Sequence, residues 1–109
     1  MDDNDDADML ALDGSISLSG FKDIDRAVLI DVKKLVGSYA RKFSDQLAGF
    51  QRIHVNLKKV HAREKSEIYE LQGRLTVDGK THAVESEDRN LFSCLGSVLR
   101  KLETLVQKE

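Results

Sequence analysis

The sequence predicts an α+β fold in the order β-α-β-β-β-α: a four-stranded sheet with two helices packed on one face. Three observations carry this. Four short segments alternate apolar and polar residues, the period of a half-buried strand, while two longer ones repeat their apolar residues at helical spacing. The 109 residues contain no proline, internal repeat or linker-like stretch, so a single domain accommodates them. Each strand shows one apolar face and each helix one apolar stripe, so both helices are expected on the same side of the sheet.

The first strand is 15-SISLS-19, closed by Gly20 and Phe21. Asp23 or Asp25 is placed to cap the helix that follows, in which Val28, Leu29, Val32, Leu35, Val36, Tyr39, Phe43 and Leu47 line one side. Gly49 is expected to stop that helix. In 51-QRIHVNLKKV-60, Ile53, Val55 and Leu57 point one way, and His54, Asn56 and Lys58 the other. The polar run 61-HAREK-65 is expected to be a loop. The next strand is 67-EIYELQGRLTV-77, where Gly73 falls on the apolar face and leaves room for a helix to approach. Asp78-Gly79 is a tight-turn signal leading into 80-KTHAVES-86. Glu87 and Asp88 are expected to open the last helix, where negative charge suits the positive end of the dipole. The uncovered side of the sheet would show His54, Asn56, Lys58, Glu70, Gln72, Arg74 and Thr76.

Composition excludes several classes of protein. No apolar run approaches the length of a membrane span, and the start, MDDNDDAD, is the opposite of a basic leader peptide. The lone Cys94 rules out an internal disulfide and fits a cytoplasmic protein; among Leu91, Leu95 and Val98 it reads as a small buried hydrophobe. The net charge of −2 is unevenly spread. Residues 1–13 hold six aspartates and no Lys or Arg, leaving 13 acids against 17 bases in the rest. Residues 1–14 are therefore expected to be an acidic disordered leader, and 15–109 a mildly basic domain. The leader reads as a solubility tail or as an internal competitor for polyanion binding.

Catalytic chemistry needs converging groups, and none converge here. His54, His61 and His82 have no ligand spacing, the glycines are scattered singly, and the acids lie among opposite charges. No enzyme activity, metal, cofactor or small-molecule substrate is expected.

Positive charge is the feature that remains. On a wheel of about 100° per residue, Arg26, Lys33, Lys34, Arg41 and Lys42 fall opposite the apolar stripe of the first helix, with only Asp31 and Asp45 intruding. Arg100, Lys101 and Lys108 occupy the polar side of the last helix, beside the small residues Ser93, Gly96 and Ser97, which would admit a close-lying backbone. Arg52, Lys58, Lys59, His61, Arg63 and Lys65 form the densest basic cluster. Cations spread over a surface suit phosphate contacts. Exposed aromatic residues are few, which disfavours reading single strands by stacking and favours structured RNA.

Over residues 15–108 the chain resembles the ribosome hibernation promoting factor and ribosome-associated translation inhibitor family, in its short form. The resemblance lies in ISLSGF before an amphipathic helix, IHVNLKKV before a charged segment, GRLTV, and ESEDRNLFSCLGSVLRKLE. It implies a domain similar to the double-stranded RNA-binding fold, lodged on the small ribosomal subunit near the decoding channel. There it would inhibit translation and protect idle ribosomes by blocking the mRNA and tRNA sites. The RNA-binding positions it implies are Arg26, Lys33, Lys34, Arg41, Lys42, Lys58, Lys59, Arg100, Lys101 and Lys108. Two departures stand out: the acidic leader, and an end at the last helix, so pairing of ribosomes is expected to need another factor. A free double-stranded RNA-binding module and a protein-interaction domain are the alternative readings.

Overall fold

The computed structural model describes residues 9–63 and 66–107. Its elements are β1 (Met9–Asp13), β2 (Ile16–Ser19), α1 (Arg26–Gln46), β3 (Phe50–Arg63), β4 (Ser66–Val77), β5 (Lys80–Asp88) and α2 (Leu91–Gln107). The predicted β-α-β-β-β-α order is present in β2 to α2, and β1 is added in front of it. The strands lie in chain order across one sheet. β2 runs parallel to β3, with α1 as the crossover, and every other neighbouring pair is antiparallel.

Three local differences from the sequence reading have physical causes. First, residues 9–13, within the expected leader over 1–14, form a strand, and residues 1–8 lie outside the described residues. The run MLALDGSISLS is two apolar stretches around the two turn residues Gly14-Ser15, a hairpin signal in its own right, and Leu10 pairs with Leu18. Second, β3 continues through His61, Ala62 and Arg63, which pair with Ile68, Glu67 and Ser66, so 61–63 of the expected loop are strand, and residues 64 and 65 lie outside the described residues. Third, Glu87 and Asp88 end β5 rather than opening α2. Asn90 caps that helix instead: its side chain accepts from Ser93 N at 2.9 Å and its carbonyl from Cys94 N at 3.0 Å.

Asp25 caps α1, its carboxylate accepting from Ala27 N at 3.2 Å. The turn at Asp78-Gly79 has φ of 51° and 80°, the left-handed pair that a two-residue hairpin of this type demands.

Alternation along the strands decides where the core lies. Leu18, Ile53, Val55, Leu57, Leu71 and Leu75 point to one side, where they join Val32, Val36, Ala40 and Phe43 of α1 and Leu95, Val98, Leu99 and Leu102 of α2 in one cluster. Burying a side chain such as Phe43 contributes about 2–3 kcal/mol. Both helices therefore sit on the same face, as predicted. α2 comes closest: a Cβ at Gly73 would collide with Val98 Cγ1, so glycine sets the depth at which this helix packs. Cys94 is fully buried, its thiol directed at the carbonyl of Ser86 at 3.2 Å, and burial pushes its pKa up. α1 buries four residues and α2 seven, so α1 lies on the core with the larger part of its surface turned outward.

Candidate nucleic-acid interface

The exposed side of α1 carries the cations that sequence periodicity assigned to it. Arg26, Lys34 and Arg41 are exposed and Lys33 is half-buried. Among the described residues none of these four forms an ion pair. Ile30, 48% exposed, sits among them one turn from Arg26 and Lys34, an apolar contact within a positive surface that periodicity did not single out. On α2, Arg100 is exposed and without an ion pair, its guanidinium lying over Gly96 with Nη1 3.1 Å from where a Cβ would stand.

The remaining cations are differently placed. Lys42 turns toward α2, where its Nζ meets Glu103 Oε2 at 2.6 Å and lies 5.6 Å from the Tyr39 ring centroid. The hydrogen bond to Glu103 holds the Lys42 pKa above its ordinary value, against the small opposing effect of desolvation. Lys101 donates to the backbone carbonyl of Glu85 at 2.7 Å, on the β5 side of α2 and away from α1. Lys58 pairs with Glu85 at 3.2 Å, and Glu85 stands opposite Gln72 on the uncovered face of the sheet, so Lys58 is turned to that face and does not join the helical cations. Lys59 of β3 pairs in register with Glu70 of β4, but its side chain and all of Lys108 lie outside the described residues.

Two small residues of α2 are also occupied from within. Ser97 accepts a hydrogen bond from Ser86 at 3.1 Å and Gly96 lies under Arg100, so neither is open to an approaching backbone as expected. The cations free of ion pairs are thus Arg26, Lys33, Lys34 and Arg41 on α1 and, on α2, Arg100, which lines a hollow with Lys101, Ala83 and Val84.

The uncovered face of the sheet shows the predicted polar residues. His54 lies between Ser17 Oγ, 2.6 Å from Nδ1, and Ser19 Oγ, 2.9 Å from Nε2. Burial, with the nearby Arg74 charge, holds its pKa below the ordinary value. Among the described residues no group of three or more His, Cys, Asp or Glu side chains is disposed to hold a metal ion. No helix among them is long and apolar enough to cross a membrane.

No protein-family model and no curated protein sequence matches the chain. Solved structures do. A ribosomal subunit interface protein from Coxiella burnetii superposes with a TM-score of 0.52 at 15% identity, over 86% of this chain and 92% of that one. The Protein Y N-terminal domain of Thermus thermophilus superposes with a TM-score of 0.52 at 20% identity, over 86% and 93%. These neighbours belong to the family that the sequence resembles, and what the comparison shares at this identity is the fold. The domain the resemblance implied is the domain found.

Proposed function

We propose that this chain is a non-enzymatic ribosome-binding factor that docks through the exposed side of α1. One observation carries the reading. A fold shared with a ribosomal subunit interface protein places four cations on its most exposed helix, with Asp31 and Asp45 beside them, and among the described residues none of the four is held in an ion pair. Unpaired cations on a rigid helix displace condensed counterions from RNA phosphates without first breaking an internal salt bridge.

The site is the small subunit near the decoding channel. A wedge seated there excludes mRNA and tRNA, inhibiting translation and shielding idle ribosomes. Specificity comes from the spacing of charge on a rigid surface rather than from base readout, since Phe21 and Phe43 are buried, Tyr39, Phe50 and Tyr69 pack against the core, and Phe92 alone of the aromatic residues is exposed.

Sucrose-gradient sedimentation with purified ribosomal subunits tests this. The chain is expected in the small-subunit fraction at low salt and in the free fraction at high salt. Absence from the ribosomal fractions at low salt, or sedimentation indifferent to salt, overturns it. A gel shift with long duplex RNA separates the alternative: binding there as tight as to the small subunit makes the chain a general duplex-RNA module.

A further inference from the structure

The face of the sheet opposite the helices carries a second basic feature that the helical interface does not use. Arg52 of β3 stands opposite Thr76 of β4, and Arg74 of β4 stands opposite His54 of β3, so the two arginines are diagonal neighbours. Both are exposed, and among the described residues neither has an ion-pair partner. Like charges at this spacing disfavour the pairing of strands. The same face neutralises a cation elsewhere, at Lys58 with Glu85, which makes the bare arginine pair a local exception.

Around the pair the sheet forms a shallow concavity of about 300 Å³, lined also by Ser17, His54, Thr76 and Thr81. Its hydroxyls are ordered: Thr76 and Thr81 lie 3.0 Å apart, oxygen to oxygen. The histidine is wired into one tautomer. Ser19 gives its only hydroxyl proton to Asn56 Oδ1 at 2.8 Å, so it must accept from His54 Nε2–H. Nδ1 is then bare and accepts from the Ser17 hydroxyl at 2.6 Å. Burial, and after it the Arg74 charge, favours the neutral ring. If His54 gains a proton at Nδ1, the bond to Ser17 reverses and the Ser17 hydroxyl proton is released toward the concavity.

We propose that Arg52 and Arg74, with the hydroxyls of Ser17, Thr76 and Thr81, form a phosphate-binding site on the open face of the sheet. Guanidinium groups suit phosphate because they donate two parallel hydrogen bonds to it. Beside two arginines, the bound dianion or phosphodiester offsets the charge that keeps His54 neutral, and the freed Ser17 proton becomes a further donor. The charged groups facing His54 are Arg52 and Arg74, with the Lys58–Glu85 pair further along the face; β2 contributes only Ser17 and Ser19, and β5 places Ala83 opposite Arg74. With the helical cations on the other side, the chain holds phosphate-binding groups on both faces. The ligand is either a nucleic-acid backbone or free phosphate.

Side-chain NMR of the isotope-labelled full chain reads the site through the two ring nitrogens of His54. Inorganic phosphate and a short oligouridylate are titrated separately, at ionic strength matched with chloride. The proposal expects the His54 signals to shift and its pKa to rise by about one unit. It expects both effects to vanish in R52Q/R74Q and to persist in K22Q/R89Q, which removes the same charge elsewhere. A response to inorganic phosphate alone supports the site and assigns it to free phosphate; a response to oligouridylate alone supports it and assigns it to an RNA backbone. No response to either overturns the proposal, as does a response that survives in R52Q/R74Q or is lost equally in K22Q/R89Q. A starting tautomer with the proton on Nδ1 also contradicts it.

Discussion

Lys42 Nζ and Glu103 Oε2, 2.6 Å apart, tie the two helices together across their shared edge. The pair removes one cation from the surface that would meet RNA, and it makes Glu103 the acid that limits that surface. Replacing Glu103 with Gln frees Lys42. The variant is expected to bind ribosomes more tightly at low salt, with a salt dependence steeper by about one counterion. Lys42→Gln should change both far less than Lys34→Gln. Binding measured across a salt series checks this, and equal losses at Lys42 and Lys34 would show that the pair opens on docking.

Gly73 predicts the tightest packing constraint in the fold. A methyl group there meets Val98 Cγ1, and Leu102 Cδ1 stands 3.1 Å away, so Gly73→Ala must push α2 off the sheet. Overpacking of this kind costs about 1–3 kcal/mol. Urea unfolding of Gly73→Ala should show stability lowered by that amount, seen as a lower midpoint with an unchanged slope. Gly37→Ala, where no atom lies within 4 Å, should be neutral or stabilising.

His54 makes stability depend on pH in a stated direction. Its pKa in the folded chain lies below the ordinary 6.5 because burial and Arg74 disfavour the charged ring. A depressed pKa contributes stability that is fully present above 6.5 and is lost as pH falls through the folded value. Melting temperature is therefore expected to drop on acidification from about pH 7 to pH 5, and His54→Gln should flatten that part of the profile. An unchanged slope in the variant would assign the loss to other groups.

Cys94 is expected to be inert in the native chain. It is fully buried, its thiol faces two backbone carbonyls, and burial raises its pKa, so little thiolate forms. A thiol reagent should label it only under unfolding conditions, whereas rapid labelling of the folded chain would contradict the packing of α2 on β4 and β5.

β1 covers the edge that β2 would otherwise present, pairing Met9, Leu10, Ala11 and Asp13 with Ser19, Leu18, Ser17 and Ile16. A chain shortened to begin at Ser15 exposes that edge and is expected to self-associate. Size-exclusion chromatography at rising concentration checks it; a monomer as stable as the parent would show that β1 is dispensable.

Periodicity was enough to place α1, α2 and the core face of every strand from β2 onward, because alternation and helical spacing are local signals. It was enough, too, to put Arg26, Lys33, Lys34 and Arg41 on one exposed arc. What it did not resolve depended on pairing between distant segments. The charge of the first residues masked the hairpin around Gly14-Ser15. The polar run HAREK hid the extension of β3, because backbone pairing needs no apolar residues to continue a ladder. The separation of Lys58 from the helical cations rests on its pairing with Glu85 on the uncovered face. The neutralisation of Lys42 depends on the angle at which α1 meets α2, and nothing in either helix taken alone reports that angle.

The central claim is that the exposed cations of α1 hold the chain on the ribosome. Its most direct test is the dissociation constant for the small subunit as a function of salt, for the parent chain and for K33E/K34E/R41E. The account predicts that the parent loses affinity steeply as salt rises and that the variant, still folded, shows no binding at any salt. A folded variant that binds as tightly as the parent, with the same salt slope, would contradict it.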